Sequence, residues 1–262
     1  MSPIPALSMC QVQVKRGAIT VLEAIDLQVG AGEFVCLLGP SGCGKSTLLD
    51  LAAGLTLPTT GKVSCLGQPL TGINLQSGYL FQQDALLPWC TALENVTLSL
   101  RLQRVEQREA NATGMRWLEQ VGLADFAHYY PAQLSGGMRK RVALAQVLVH
   151  DAPVLLMDEP FAALDAQTRQ SAQVLLLNLW EQRRRAVLFV THDLDEALTL
   201  ADRIVMLGAA PNARCLASLP IDLPRPRCLS SVRTHPRYQR LYRRLWQMLH
   251  PPSSTSTCAA LP

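Results

Sequence analysis

The chain has 262 residues, of which 48% are hydrophobic and 17% charged, a balance that excludes an intrinsically disordered protein. No stretch approaches the roughly 20 apolar residues needed to cross a bilayer, and the first ten residues lack a basic region followed by an apolar core, so a soluble cytoplasmic chain is expected. The net charge of +4 is uneven: seven arginines fall between Arg225 and Arg244, no acid follows Asp222, and without those seven the rest carries 17 basic against 20 acidic residues. Such a basic run suits either a solvated helical face or contact with an anionic surface.

In chain order, Cys10-Gln-Val-Gln-Val alternates, turns at Gly17 and resumes from Ile19, which predicts antiparallel strands. Phe34-Val-Cys-Leu-Leu is a continuous apolar strand of the buried kind. A helix is predicted from Lys45, with Leu48, Leu49, Leu51, Ala52 and Leu55 on one side and Gly54 as its stop. A short strand follows over 62–66. Helices are then predicted over 92–102, 107–121 and 139–149, strands over 154–157 and 186–190, and a helix over 166–185 between those strands. Strand, helix and strand at this spacing imply a parallel crossover. The expected fold is therefore α/β, with an antiparallel β subdomain first and a helical block of about 86–150 inserted. The last dozen residues, rich in Ser, Thr and Pro, read as disordered. The eight cysteines form no CxxC pair and read as free, mostly buried thiols, with Cys43 as an exception that its loop can expose.

Gly39-Pro40-Ser41-Gly42-Cys43-Gly44-Lys45-Ser46, followed by Thr47, matches GxxxxGK[ST] between a buried strand and a helix. The glycines let successive backbone N–H groups turn inward on phosphate oxygens, and the helix start adds its positive dipole end. Lys45 supplies a mobile charge for the terminal phosphates, and the Ser46 hydroxyl can ligate Mg²⁺. The acidic partner is Val154-Leu-Leu-Met-Asp158-Glu159, an apolar strand that delivers two carboxylates at its end. Asp158 is placed to hold Mg²⁺ and Glu159 to orient or deprotonate a water.

Leu134-Ser135-Gly136-Gly137-Met138 opening a helix resembles the signature of ATP-binding cassette (ABC) ATPases. Phe81-Gln82 resembles their Q-loop, Ala163-Leu164-Asp165 their D-loop, and Thr191-His192-Asp193 their switch histidine. Together these motifs span about 10–210. The resemblance implies a P-loop NTPase core over 8–230 and a tail over 231–262. It implies ATP and Mg²⁺, with Gln82 and His192 in catalysis beside Glu159 and Lys45. Gln82 joins Ser46 and Asp158 at the metal. Ser135, Gly136 and Gly137 would bind the γ-phosphate held by the opposite subunit of a homodimer, and Asp165 would lie at the seam. Further runs are similar to importers of the nitrate, taurine and alkanesulfonate type: Leu80-Phe-Gln-Gln-Asp-Ala-Leu-Leu-Pro-Trp89, Phe161-Ala-Ala-Leu-Asp165, Val174-Leu-Leu-Leu-Asn-Leu-Trp180 and Asp222-Leu-Pro-Arg-Pro-Arg227. Their likeness implies an ATP-hydrolysing subunit on the cytoplasmic face of the inner membrane, coupled to permease subunits and through them to a solute-binding protein, with no nucleic-acid partner.

Leu86, Leu87, Pro88 and Trp89 are the candidate surface for a permease, or else local packing of the helical block. Arg16 stands where the family places an aromatic ring on adenine, and its guanidinium can stack there instead. Lys140 and Gln146 replace the family's usual glutamine and arginine. A soluble ABC ATPase acting on DNA or ribosomes is the alternative, but the chain has neither a long coiled-coil insertion nor a second cassette. A GTPase or small-molecule kinase would leave Leu134–Gly137 unexplained.

Overall fold

A computed structural model describes residues 3–250. Along the chain run β1 (Leu7–Arg16), β2 (Ile19–Val29), β3 (Phe34–Leu38), α1 (Lys45–Ala53), β4 (Thr60–Cys65), β5 (Gln68–Pro69) and β6 (Ser77–Leu80). Then come α2 (Ala92–Leu102), α3 (Gln107–Gln120), α4 (Gly136–Leu148), β7 (Val154–Asp158), α5 (Ala166–Arg183), β8 (Ala186–Val190) and α6 (Leu194–Leu200). β9 (Arg203–Leu207), β10 (Cys215–Pro220), α7 (Leu229–Val232) and α8 (Pro236–Leu249) complete the described residues.

Two sheets result. The first is antiparallel, in the order β2-β1-β4-β5. The second has the order β10-β9-β3-β8-β7-β6, and all but β10 run parallel. β3 and β8 are buried at every position, as continuous apolar runs require when both faces of a parallel sheet are covered. Alternate residues of β3 feed two cores. Phe34, Cys36 and Leu38 pack with the helical block and α5, whereas Val35 and Leu37 pack with α1 and the first sheet. Phe34 meets Trp180 edge-on, with ring centroids 5.5 Å apart.

Because β3, β6, β7 and β8 are parallel, their carboxyl ends share one edge, the usual ligand edge of such sheets. The phosphate loop, Phe81-Gln82, Asp158-Glu159 and Thr191-His192 follow those four ends directly.

α1 stops at Gly54, as expected, for a steric reason. Its φ is +68°, and a Cβ there would lie 1.8 Å from the Gly72 carbonyl oxygen. α2, α3 and α4 form the inserted block between β6 and β7. A Thr91/Glu94 capping box starts α2. One turn on, fully buried Asn95 accepts from the Leu87 N–H and donates to the carbonyls of Leu87, Cys90 and Thr91, which shapes the loop carrying Trp89.

Several expectations need correction. Cys43 is buried, because its thiol turns into the core formed by α1 and the first sheet, so close to Gly39 that a Cβ there would come within 2.9 Å of its Sγ. Of the seven described cysteines only Cys36, Cys43 and Cys65 are buried; Cys90 and Cys215 are half-buried, while Cys10 and Cys228 lie at the surface. The arginine run is not one solvated face. Arg225 and Arg227 are buried against Asp202 and the end of α6, and only Arg233, Arg237, Arg240, Arg243 and Arg244 are exposed. α8 packs its Tyr238 and Leu245 onto the main core, with the Tyr238 hydroxyl donating to Asp195 of α6. Cys258 and the serine- and proline-rich end fall outside the described residues.

Candidate active site

The phosphate loop needs two residues in the left-handed region, and glycine supplies both: φ is +77° at Gly42 and +98° at Gly44. At Gly44 a Cβ would also strike Leu22 of β2 at 2.7 Å. Lys45 opens α1 with its side chain folded back over the loop, and Nζ donates to the carbonyls of Gly39 at 2.8 Å and Pro40 at 2.9 Å. Its charge thus bridges the two ends of the loop from a buried position.

Facing the loop is a cavity of about 550 Å³. Ser41, Gly42 and Gly44–Thr47 line one wall, Gln82, Asp158 and Glu159 another, and Arg16 and Val21 of the first sheet a third. Asp158 accepts a hydrogen bond from the Ser46 side chain. Burial raises its carboxyl above the usual range, with the Ser46 bond opposing that and the Glu159 charge adding to it. A desolvated carboxylate beside a hydroxyl suits a hard divalent cation, which takes oxygen donors and returns the missing counter-charge. Among the described residues no cluster of three or more His, Cys, Asp and Glu offers a metal cage, so a cation here would keep bonds to substrate and water.

Glu159 is the first residue past β7 and has φ +39°, a strained value for a non-glycine residue. Its N–H donates to the Val190 carbonyl at 3.0 Å, tying it to the end of β8. There the exposed His192 places Nδ1 3.0 Å from Glu159 Oε2. A strained backbone therefore aims a carboxylate from one strand end at an imidazole from the next, beside the phosphate-loop cavity. That arrangement can hold a water against a phosphoryl group.

With this geometry in place, the sequence profile of the ABC transporter family matches residues 22–162, more than half of the chain. The chain belongs to that family. It is an ABC ATPase and binds ATP. It is 45% identical over 228 residues to the nitrate import ATP-binding protein NrtD of Synechococcus elongatus, covering 86% of this chain and 83% of that one. To the taurine import ATP-binding protein TauB of Burkholderia thailandensis it is 42% identical over 239 residues, covering 90% and 92%. A solved ATP-binding cassette, a dimer in a post-hydrolysis state bound to ADP and Pi, superposes with a TM-score of 0.71 at 31% identity, covering 83% of this chain and all of that one.

The remaining ABC motifs lie elsewhere on the surface. Ser135 is the N-cap of α4, accepting from the Met138 N–H at 3.2 Å. Gly137 packs so closely on α5 that a Cβ would meet Thr168 Cγ2 at 2.4 Å. Asp165 caps α5, accepting from Gln167 and Thr168, and those bonds hold its carboxyl below the usual range. None of Ser135, Gly136, Gly137 and Asp165 lines the phosphate-loop cavity.

Residues not singled out from the sequence, Glu196, Gln173, Arg169, Tyr79 and Asp50 among them, brace the segments that carry the site. Thr191 Oγ1 donates to buried Glu196 at 2.6 Å, and Glu196 also accepts from Gln173 Nε2 at 3.0 Å. Arg169 of α5 joins the D-loop carbonyl of Leu164 at 2.9 Å to Asp193 at 3.7 Å. Tyr79 of β6 donates to Asp50 at 3.5 Å. These are ordinary residue types in apolar elements, and only the fold brings them under the site.

Proposed function

We propose that this chain is the ATP-hydrolysing subunit of an import complex, and that it works as a head-to-tail homodimer on the cytoplasmic face of the inner membrane. The Glu159–His192 contact beside the phosphate loop carries the hydrolytic half of this reading. Lys45 and the loop N–H groups bind the phosphates of ATP, and Arg16 stacks on the base. Ser46, Asp158 and Gln82 hold Mg²⁺, which when bound neutralises charge on the phosphates. Glu159 takes the proton of the attacking water, and His192 keeps that carboxylate in place. The signature lies outside the chain's own phosphate cavity, so Ser135–Gly137 is read as serving the nucleotide of the opposite subunit, across a seam that includes Asp165. Replacement of Lys45 by alanine is expected to weaken ATP binding roughly 10- to 100-fold, the worth of a charge-assisted bond. Equilibrium titration with a fluorescent ATP analogue checks this.

The import reading rests on the relatives named for nitrate and taurine import, and it makes the solute a small anionic, sulfonate- or nitrogen-containing molecule. The permease contact is read at Trp89, which is 72% exposed in a loop held rigid by Asn95. Pro88 is exposed beside it, whereas Leu86 packs partly into the core. The tagged chain, extracted from membranes in mild detergent, should co-purify with a polytopic permease. Trp89→Ala should lower that recovery about 10-fold, as loss of an aromatic anchor does, with ATP turnover unchanged. Equal recovery by the variant would move the docking surface elsewhere.

A further inference from the structure

The first turn of the signature helix is fastened to the Gln82 loop by a buried cation. Lys140 lies one turn into α4, and its side chain is only 5% exposed. Its three N–H donors match three acceptors: the carbonyls of Phe81 at 3.1 Å and Gln82 at 2.7 Å, and Asp84 Oδ1 at 3.2 Å. Asp84 Oδ2 accepts from Arg139 Nε at 3.1 Å, and Arg139 NH1 donates to the Leu134 carbonyl at 2.8 Å. Residues 81–84 and 134–140 thus form one hydrogen-bonded unit, although more than fifty positions separate them. Burial pulls the Lys140 ammonium below the ordinary lysine range while Asp84 holds it up.

An ammonium is costly to bury, and a packing role would be met by a leucine or methionine. What those side chains cannot do is satisfy two main-chain carbonyls in consecutive residues. Next to the fastening lies a cavity of about 480 Å³, bordered by Gln82, Gly136, Ala163 and Leu164. A gap therefore separates part of the Q-loop from the D-loop; Phe81 stacks on Tyr79 of β6, with centroids 4.1 Å apart, and the carbonyls of Phe81 and Gln82 are held from the side of α4 by Lys140. Gln82, meanwhile, also lines the phosphate-loop cavity with Ser46 and Asp158.

We propose that Lys140 is a positioning residue that makes the placement of Gln82 follow the signature helix, so that a nucleotide of the opposite subunit bound at Ser135–Gly137 adjusts the Mg²⁺ and water site of this one. The inference deepens the proposed function and rests on the assignment of Gln82 to that site.

The test uses the purified full-length chain and compares Lys140→Met, Lys140→Gln, Gln82→Ala and the Lys140→Met/Gln82→Ala double variant. The readouts are ATP affinity as a function of Mg²⁺, the Mg²⁺ concentration for half-maximal turnover, and amide exchange over 81–84. Loss of a supporting partner typically weakens metal affinity by about 10-fold or more. Lys140→Met and Gln82→Ala should therefore each raise the Mg²⁺ requirement about 10-fold, with ATP affinity in EDTA unchanged. The double variant should be no worse than the more affected single one, because both act on one element. Exchange over 81–84 should quicken in both variants that carry Lys140→Met and stay at the parent rate in Gln82→Ala. Lys140→Gln keeps two donors and should fall between, which secures the test if the methionine variant does not fold. A shifted Gln82→Ala with a normal Mg²⁺ response in the Lys140 variants overturns the coupling. An unshifted Gln82→Ala removes Gln82 from the site, and the proposal with it.

Discussion

Glu159→Gln is expected to lower ATP turnover by about 10²- to 10⁴-fold, the usual worth of a positioned general base, while ATP binding survives. The two side chains are nearly isosteric, so the strained backbone at φ +39° and the tie to Val190 are undisturbed. The amide can still meet His192 Nδ1, now 3.0 Å from the carboxylate, but it cannot accept a proton from water. Lys45, Ser46 and Asp158, which line the phosphate-loop cavity, are untouched, so nucleotide affinity should remain within a few-fold of the parent. Under the dimer reading, ATP then closes two chains that cannot reopen by hydrolysis. Size-exclusion chromatography should show an ATP-dependent dimer for the variant and a transient one for the parent. Single-turnover measurements locate the loss in the chemical step. Turnover within threefold of the parent would remove Glu159 from the mechanism.

The site divides by how local its signals are. Gly39–Ser46 could be read because strand, loop and helix are contiguous, and each glycine answers a backbone demand at its own position. The Glu159–His192 contact spans 33 residues, and nothing within either segment points to the other; only the order of the ABC motifs implied it. Lys140 is a second long-range case: nothing in its own helix points to a partner, and the carbonyls of a distant loop draw it inward.

Among the elements, β6 is not legible in the sequence because Ser77–Leu80 has four residues and includes a glycine. β9 and α6 are short apolar segments between motifs, Arg203–Leu207 and Leu194–Leu200, and the pattern over so few residues fits helix and strand alike. Cys43 departs from its expectation because a place in a phosphate loop suggests exposure, whereas the turn of that loop points the thiol inward, and burial then pushes its pKa up.

The basic run over 225–244 is where charge counting misleads most, and it yields the second large effect. Arg227→Met should cost about 3–5 kcal/mol of stability, the range for stripping one partner from a buried charged network. The Arg227 side chain is 1% exposed. NH1 donates to the carbonyls of Leu198, Thr199 and Ala201, the last at 2.6 Å, and NH2 to that of Ile221 at 3.3 Å. Those of Leu198 and Thr199 belong to the last turn of α6, which has no helical donors for them. Burial, with Arg225 adding to it, draws the Arg227 pKa down to about 10, which leaves the guanidinium charged at pH 7.

Arg225 shares the task. It donates to Asp202 at 2.7 Å and to the Leu200 carbonyl at 2.6 Å, and it stacks 4.3 Å over the Trp180 ring. Methionine fills much of the Arg227 volume but leaves the carbonyls dry and unpaired. Lysine, with one compact charge in place of a planar fork, should recover about half of the loss. Because α6 begins directly after Thr191-His192-Asp193, the same substitution should loosen the His192–Glu159 contact, so that turnover at 25 °C falls even where the variant remains folded. Urea unfolding at pH 7 gives the stability change, and a loss below 1 kcal/mol would make the buried guanidinium a passenger.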